Sequence, residues 1–225
     1  MSFLVAIEGA DGAGKATAAA LVARKLEERG FSAIVISFPR YRETVGGVAL
    51  GEFLAGRTPV PVTPRAAAIL YAMDRFESVG FIEEAAASHD VIVFDRYIAS
   101  NLVYQAAKVQ EDEAPGLIDW IYRLETETFG VPRADLSIYL DTPLEVARAL
   151  MLLKSKRSYT DRQYDEHEAD LELQRNVRAN YAAVAAGGVG GAWEVVRTSA
   201  SSALRPPEEI AEEAAGHVLA RLGRA

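Results

Sequence analysis

The sequence predicts a doubly wound α/β fold, in which helices cover both faces of a parallel sheet. Strand-like and helix-like segments alternate from one end to the other, and this alternation is typical of parallel sheets with right-handed crossover connections. The strand-like segments are short, nearly continuous apolar runs such as FLVAIE at 3–8, as expected for strands that are buried on both faces. A glycine-rich loop at 8–15, EGADGAGK, joins the first strand to the first helix.

The first half of the chain supplies three of the predicted strands. The first helix begins at Lys15, is rich in alanine and leucine, and ends at Arg29 before Gly30, a residue type that commonly terminates helices. Pro39 ends the second strand, and Pro64 falls in the first turn of the longest predicted helix. In order, we expect a strand at 3–8, a helix at 15–29, a strand at 32–38, a short helix at 44–56, a longer helix at 64–88 and a strand at 90–95.

The second half continues the alternation around one highly charged segment, 154–168. The tract GGVGG at 187–191 follows a helix, precedes a strand and lacks a lysine, so we interpret it as a flexible turn and not as a phosphate loop. In order, we expect helices at 99–109 and 115–129, a strand at 135–141, a helix from Pro143 to about Leu153, a helix that ends near Ala186, a strand at 192–198 and a helix from Pro207.

Composition limits the possible class of protein. The 225 residues, half of them apolar and a quarter charged, are enough for one compact domain over 1–225. The sequence has no apolar run of about 18 residues and no signal-peptide pattern, and the absence of cysteine suits a reducing cytoplasm. A net charge of −8 disfavours non-specific nucleic-acid binding, although a few arginines in a cleft can still bind a phosphorylated small molecule. We therefore expect a cytoplasmic protein with no nucleic-acid and no membrane partner.

The loop after the first strand has the form of a nucleotide-phosphate loop: Gly9, four residues, Gly14 and Lys15. The backbone N–H groups of such a loop and the helix N-terminus converge on an anion, and glycines leave room for the phosphate. The lysine reaches the β- and γ-phosphates of the nucleotide. The alternative is a strand-to-helix turn that merely contains glycine. The predicted ATP-binding residues of this loop are Gly9, Ala10, Asp11, Gly12, Ala13, Gly14, Lys15, Ala16 and Thr17.

Ala16 departs from the usual loop pattern, in which serine or threonine follows the lysine. That hydroxyl normally binds Mg²⁺, so the metal needs another anchor here. Thr17 is one position late, about 100° around the helix, and is not expected to replace it. The candidate metal ligands are the carboxylates of Asp11, Asp95 and Glu168.

Four motifs, in this order, resemble those of thymidylate kinases: GADGAGK at 9–15, FPRY at 38–41, YAMDR at 71–75 and DRYIASNLVY at 95–104. The resemblance covers about residues 3–181, and the last three motifs are not shared by phosphate-loop proteins in general. It implies a three-layer phosphate-loop fold, with a five-stranded parallel sheet flanked by helices and a short lid. It also implies a homodimer that moves the γ-phosphoryl group of ATP to dTMP with Mg²⁺ as cofactor.

The second and third motifs concern the acceptor nucleotide. FPRY follows the second strand, at the carboxyl edge of the sheet where ligands of such folds bind. We expect Phe38 near the base and Arg40 on the acceptor phosphate, and the resemblance places Tyr41 nearby; ordinary strand termination is the alternative for Phe38. Tyr71 and Arg75 are four residues apart and share one helical face. The resemblance implies that Tyr71 stacks on thymine and that Arg75 bonds to its edge, whereas a core aromatic beside a surface ion pair is the alternative.

The fourth motif places polar residues behind a strand end. By resemblance, Arg96 contacts the dTMP phosphate and the transferred phosphoryl group, and Asn101 bonds to the base. The resemblance also places Tyr104 near the deoxyribose C2′, where its ring would disfavour a ribose hydroxyl. Ser100 is included in the same dTMP site. Helix capping or an exposed polar position is the alternative for Ser100 and Asn101.

The charged segment KSKRSYTDRQYDEHE at 154–168 resembles the lid of this family, although its arginines are less clearly spaced. We expect Arg157 and Arg162 to contact ATP and His167 to contact dTMP; Lys154 and Lys156 are further candidates for a cationic cover. A solvated charged loop is the alternative for each of them.

Transfer of a phosphoryl group to an anionic phosphate requires positioning and charge neutralisation more than a strong base. The predicted catalytic residues are Lys15, Arg96 and Asp11. Arg40 and Arg96 favour an acceptor that already carries a phosphate. Two alternatives stay open at this point. One is a kinase for a different nucleoside monophosphate, and the other is a non-catalytic nucleotide-binding protein, which only Ala16 supports.

Overall fold

The computed structural model describes residues 2–157, 171–200 and 203–223. Its strands are β1 (Phe3–Glu8), β2 (Ala33–Ser37), β3 (Val91–Asp95), β4 (Leu136–Asp141), β5 (Trp193–Arg197), β6 (Ser199–Ala200) and β7 (Ala203–Leu204). Its helices are α1 (Lys15–Glu27), α2 (Val45–Leu54), α3 (Pro64–Glu77), α4 (Val79–Ser88), α5 (Ile98–Ala106), α6 (Ala114–Arg123), α7 (Leu144–Arg157), α8 (Leu171–Ala186) and α9 (Pro207–Arg221). A π-helical turn, Leu124–Thr128, continues directly from α6.

Strands β1 to β5 form one parallel sheet in the order β2-β3-β1-β4-β5. The predicted five-stranded parallel sheet flanked by helices is therefore confirmed. In the register of the sheet, Asp95 lies beside Ser37 on one side and beside Ile7 on the other. Because the strands are parallel, their carboxyl ends meet at one edge, and the loops that carry the predicted site leave from that edge.

The central strand β1 is fixed by apolar packing on both of its faces. Val5 and Ile7 pack with residues of α1 and α9, whereas Ala6 lies in a second apolar cluster with Phe94 and Leu102. All three β1 residues are at most 1% exposed, which explains why the strand is an unbroken apolar run. None of the described helices combines the length and the apolar composition that a membrane span requires.

The predicted helix at 64–88 is instead two helices, α3 and α4, which meet at Ser78. The Ser78 hydroxyl donates to the carbonyl oxygen of Asp74 at 2.7 Å. A serine that bonds to the carbonyl four residues earlier competes with the backbone ladder and bends helices. The prediction of a single helix was therefore wrong at this residue.

Two further differences concern the predicted lid and the segment that follows β5. Helix α7 runs to Arg157, so it includes the first four residues of the predicted lid, 154–157. The short strands β6 and β7 form an antiparallel pair after β5 and were not predicted. Two-residue strands carry too little sequence to show a period-two pattern.

Candidate active site

The phosphate loop folds tightly between β1 and α1 around its own lysine. Lys15 is buried, and its Nζ donates to the carbonyl oxygens of Gly9 at 2.9 Å and of Ala10 at 2.7 Å. Gly12 has a φ of 78°, a left-handed conformation that favours glycine. A β-carbon on Gly12 would also overlap the carbonyl group of Ala147 in α7. The glycine therefore permits both the turn and the close approach of α7.

The first turn of α1 begins immediately after this loop. Gly14, with a φ of 83°, is the residue that precedes the helix, and no side chain caps its N-terminus. Ala16 and Thr17 are exposed on the first turn. The backbone N–H groups of this helix terminus are thus free of side-chain partners, as an anion-binding terminus requires.

The surroundings of Lys15 lower the pKa of its ammonium group. Burial lowers the pKa of the ammonium group and the charge of Arg96 lowers it further, whereas the carboxylates of Asp11 and Asp95 act in the opposite direction. The resulting pKa is about 8. Lys15 is therefore charged at neutral pH, but it titrates far closer to neutrality than an ordinary lysine.

Arg96 follows β3 and is the one non-glycine residue of the described chain with a positive φ, 63°. This left-handed conformation costs a non-glycine residue about 1–2 kcal/mol, and strained residues of this kind cluster at active sites. The Arg96 N–H donates to the carbonyl oxygen of Ile7 at 3.2 Å. Its Nη2 pairs with Asp11, and its Nη1 lies 3.5 Å from the Tyr104 hydroxyl. The conformation thus brings the guanidinium against the phosphate loop.

Asp11 connects the phosphate loop to both Arg96 and helix α8. One carboxylate oxygen accepts from Arg96, and the other accepts from Gln174 Nε2 at 2.8 Å. The Asp11 N–H donates to Gln174 Oε1 at 3.2 Å. Burial alone would raise the pKa of Asp11, but the charges of Arg96 and Lys15 hold it well below its ordinary value. The carboxylate therefore stays ionised and can orient Arg96.

Glu8, the last residue of β1, is a second buried carboxylate in this region. It accepts the N–H groups of Tyr97 at 2.8 Å and Ser100 at 3.3 Å, the Ser100 hydroxyl at 2.6 Å and the Tyr181 hydroxyl at 2.8 Å. Glu8 thus supplies from β1 the negative cap that the N-terminus of α5 needs. Ser100, predicted for the dTMP site, is placed in this buried network.

Glu8 and Gln174 were not predicted from the sequence, although each has a recognisable signal. Glu8 is a charged residue in an otherwise apolar strand. Gln174 lies at helical spacing from Val177 and Tyr181, and all three are buried in α8. Since buried polar groups are nearly always hydrogen-bonded, a polar residue within an apolar stripe indicates a specific partner elsewhere in the chain.

A buried network links α3, α5 and the π-helical turn. Arg75 is 1% exposed and donates through Nε and Nη2 to the Glu125 carboxylate, with an Nη2–Oε1 distance of 2.5 Å. Asn101 Nδ2 donates to the same carboxylate at 2.8 Å and to the Ala68 carbonyl oxygen at 3.0 Å. The Arg75 guanidinium lies 5.9 Å from the centroid of the Phe38 ring. The structure thus brings together three predicted base-binding residues and adds Glu125.

Arg40 follows the Phe38–Pro39 peptide, which is cis. Its guanidinium pairs with Glu43, lies 3.2 Å from the Ser78 hydroxyl and stacks 4.2 Å from the centroid of the Phe81 ring. The side chain of the predicted phosphate ligand is therefore already oriented by protein groups.

The remaining predicted residues are less tightly grouped. Tyr41 is exposed, Tyr71 is half-buried in α3 one turn before Arg75, and Asp95 is half-buried at the end of β3. Within 2–157, 171–200 and 203–223, no three acidic or histidine side chains form a group that could hold a metal ion. The side chains of Lys154, Lys156 and Arg157, and the residues Arg162, His167 and Glu168, lie outside the described part of the chain.

Electrostatically, the carboxyl edge of the sheet is suited to a phosphorylated ligand. Asp11 pairs with Arg96 and holds it in place, and the negative charge of Asp11 also raises the pKa of Lys15 and so favours its charged form. Charged hydrogen-bond donors fixed in a water-poor site stabilise phosphate oxygens strongly. This cluster and the Arg75–Glu125–Asn101 network are joined by α5, which carries Tyr104 and Asn101 three residues apart.

Comparison with known proteins gives a consistent result over most of the chain. The sequence model of the family described as Thymidylate kinase matches residues 7–203. A thymidylate kinase of Mycobacterium tuberculosis is 35% identical over 211 residues, which cover 91% of this chain and 98% of that protein. A thymidylate kinase of Thermomicrobium roseum is 35% identical over 218 residues, covering 94% and 92%. A probable thymidylate kinase of Pyrococcus abyssi is 33% identical over 184 residues, covering 80% of each chain.

Proposed function

This chain belongs to the thymidylate kinase family and transfers a phosphoryl group from ATP to dTMP, and from that premise we propose how its residues carry out the transfer. The observation that supports the proposal most strongly is the contact of Arg96 with Asp11 beside the Lys15 ammonium. It places two cations at the loop where the γ-phosphoryl group of ATP would lie. A kinase for another acceptor and a non-catalytic nucleotide-binding protein are not favoured by the family relationship.

We assign the donor nucleotide to the phosphate loop. Backbone N–H groups of the loop and of the first turn of α1 hold the phosphates of ATP, and Lys15 exchanges its two carbonyl partners for the β- and γ-phosphate oxygens. Ala16 does not impair this role, because a backbone cradle uses no side chain. The absence of a serine or threonine at this position therefore leaves the donor site intact.

We assign the transfer step to Arg96. The acceptor phosphate of dTMP is an anion and needs no strong general base, so the requirement is alignment and neutralisation of the growing charge on the equatorial oxygens. Asp11 holds the Arg96 guanidinium through Nη2, and the N–H groups that meet neither Asp11 nor Tyr104 are available for phosphate oxygens. Asp11 is thus a positioning residue in this mechanism. The Tyr104 hydroxyl lies 3.5 Å from Arg96 Nη1, and we propose that the Tyr104 ring disfavours a ribose 2′-hydroxyl on the acceptor.

The charged form of Lys15 is the active one, which predicts a pH dependence. We expect kcat/KM for ATP, which reports on the free enzyme, to fall about tenfold per pH unit above about 8. The rate constant kcat should hold to higher pH, because bound phosphates stabilise the ammonium group. The measurement is the pH profile of both constants for the natural protein and for Lys15→Arg, whose guanidinium does not titrate. If kcat/KM still falls above about pH 8 in Lys15→Arg, the fall is not caused by titration of Lys15.

Mg²⁺ is commonly held by one or two carboxylates together with substrate phosphates, so it needs no group of three protein ligands among the described residues, and we propose that Mg²⁺ is the cofactor. Both carboxylate oxygens of Asp11 already accept hydrogen bonds. Asp95 is half-buried at the end of β3, and its charge acts on Lys15. Among the described carboxylates we therefore favour Asp95 over Asp11 as the protein ligand, and Glu168 stays a further candidate. When bound, Mg²⁺ would offset charge on the phosphates and keep several of its waters.

The proposed division of roles is tested by dTDP formation measured against Mg²⁺ concentration. Asp95→Asn should raise the half-saturating Mg²⁺ concentration, because Mg²⁺ prefers anionic oxygen ligands. Asp11→Asn should lower kcat at saturating Mg²⁺, because Arg96 loses its charged partner. Ala16→Ser should leave activity unchanged or raise it modestly. The exposed Asp119→Asn is the matched control and should behave like the natural protein.

Two results of this series would contradict the proposal. If Asp11→Asn raises the Mg²⁺ requirement while Asp95→Asn does not, Asp11 is the metal ligand and the assignment is reversed. An inactive natural protein that Ala16→Ser rescues strongly would favour the non-catalytic alternative.

We also propose that the protein forms a homodimer through α2 and α3. These two helices pack against each other and leave several large apolar side chains exposed. They are Val45 at 66%, Val48 at 50%, Ile69 at 42% and Phe76 at 50% exposure. Large apolar side chains grouped on neighbouring surface elements are typical of protein interfaces.

A further inference from the structure

We propose that Glu125 is a positioning residue that sets base specificity by fixing which atoms of Arg75 and Asn101 are offered to the base. The inference rests on the proposed function, in that it places the base of dTMP beside Arg75 and Asn101. It extends that function to a residue that touches neither the phosphates nor the transferred group.

Glu125 occupies a position where the fold would ordinarily place an apolar residue. It follows Leu117 and Ile121 at four-residue spacing, and all three are fully or almost fully buried. It also lies in the π-helical turn Leu124–Thr128. Such turns are rare and occur frequently at functional sites, and a carboxylate in an apolar interior needs charged or hydrogen-bonding partners. Both features indicate that Glu125 is placed for its partners and not for packing.

The first partner, Arg75, uses two of its three side-chain nitrogens to bind Glu125. Its Nε and Nη2 are engaged with the two oxygens of Glu125. Its Nη1 has no hydrogen-bond partner among the described residues. Because the guanidinium is planar and rigid, the bidentate pair fixes the direction of this remaining nitrogen. Arg75 thus contributes one donor nitrogen, Nη1, whose direction is fixed.

The second partner, Asn101, is left with one free acceptor. Its Nδ2 donates to two oxygens, Glu125 Oε1 and the Ala68 carbonyl. Rotation of the amide by 180° would set oxygen against oxygen at both contacts, so the orientation is determined. Its Oδ1 is buried and has no hydrogen-bond partner. A buried acceptor without a partner is destabilising, and a ligand that brings a donor removes this cost.

One oriented donor and one oriented acceptor define the class of base. Thymine and uracil offer the complementary pair, the O4 acceptor and the N3–H donor. Cytosine offers the reverse, an amino donor at C4 and a bare N3 acceptor. A buried site built to hydrogen-bond one pattern rejects the reversed pattern strongly, because its groups are then left unpaired. Glu125 therefore makes the pocket selective for pyrimidines with an N3–H group.

The test compares Glu125→Gln with Glu127→Gln, using kcat/KM for dTMP and for dCMP. A glutamine at 125 must turn its amino group towards Arg75 or Asn101, so at least one hydrogen bond is lost. We expect Glu125→Gln to raise the KM for dTMP about tenfold or more with a smaller change in kcat, and to lower the dTMP/dCMP selectivity by a similar factor. Glu127 lies in the same turn but is exposed and pairs with Arg123. Glu127→Gln should therefore match the natural protein in the KM for dTMP and in the dTMP/dCMP selectivity.

A second variant covers the case in which Glu125→Gln does not fold. Glu125→Asp keeps the buried charge opposite Arg75 but is one methylene shorter, so it should fold and still lose selectivity for dTMP over dCMP. A folded Glu125→Gln or Glu125→Asp protein with an unchanged KM for dTMP and an unchanged dTMP/dCMP selectivity would overturn this inference but would leave the proposed function standing. A natural protein that does not phosphorylate dTMP would overturn the proposed function, and the inference would fall with it.

Discussion

Lys15→Ala is expected to abolish dTDP formation while the protein remains folded. The ammonium group bonds only to the loop carbonyls of Gly9 and Ala10 among the described residues, so its loss removes no packing of the apolar core. In the presence of ATP it is the group that neutralises the β- and γ-phosphates. We expect kcat/KM to fall about a thousandfold or more, as for the loss of a charged group aimed at a transition state. The measurement is dTDP formation, with the melting temperature recorded in parallel.

Lys25→Ala is the matched control for this substitution. Lys25 lies near the other end of α1 and pairs with Glu212 on α9, so it shares the helix with Lys15 but not the site. It should keep full activity. A folded Lys15→Ala protein with near-normal dTDP formation would show that the loop does not act on the phosphates of ATP.

Arg96→Ala is expected to slow the phosphoryl-transfer step strongly and therefore to lower kcat. Its guanidinium is held by Asp11 beside Lys15, where charge develops on the transferred group. An arginine in this role contributes about 10³–10⁵ in kcat. Arg96→Lys should recover only part of the loss, since a lysine keeps the charge but not the planar fork. Single-turnover rates of the two variants and the natural protein measure the step directly.

Arg75→Ala is expected to affect binding of dTMP and stability, in contrast to Arg96→Ala, which is expected to affect the transfer step. From the sequence alone, this substitution would mainly weaken recognition of the base. Because Arg75 is buried against Glu125, its removal also leaves a buried carboxylate unpaired, which costs about 3–5 kcal/mol of stability. A raised KM and a lowered melting temperature are therefore expected together. If Arg96→Ala changes only KM while Arg75→Ala abolishes transfer in a folded protein, the two roles are reversed.

The sheet and the phosphate loop could be predicted because their signals are local. An apolar run such as FLVAIE and a glycine spacing such as that before Lys15 fall within a few residues. Both depend on backbone geometry that neighbouring residues determine. The break at Ser78 and the π-helical turn at Leu124–Thr128 escaped prediction. Both are small departures from a helix whose overall periodicity is intact, so the hydrophobic pattern does not reveal them.

The supporting residues of the site could not be predicted because their partners are far away in the sequence. Glu125 lies 50 residues from Arg75, Gln174 lies 163 residues from Asp11, and Glu8 lies 89 residues from Tyr97. A single sequence shows that each is polar within an apolar pattern, but not which group it meets. Asp11 and Arg96 were both predicted as catalytic, whereas their direct ion pair follows only from the left-handed turn at Arg96.

The decisive measurement follows ADP release and dTDP formation by the unaltered protein, with ATP and Mg²⁺, in the presence of dTMP, dUMP, dCMP or no acceptor. The expected result is ADP release that depends on dTMP and matches dTDP in amount, with dCMP a far poorer acceptor. ADP release without an acceptor, or a preference for dCMP, would contradict the site described here.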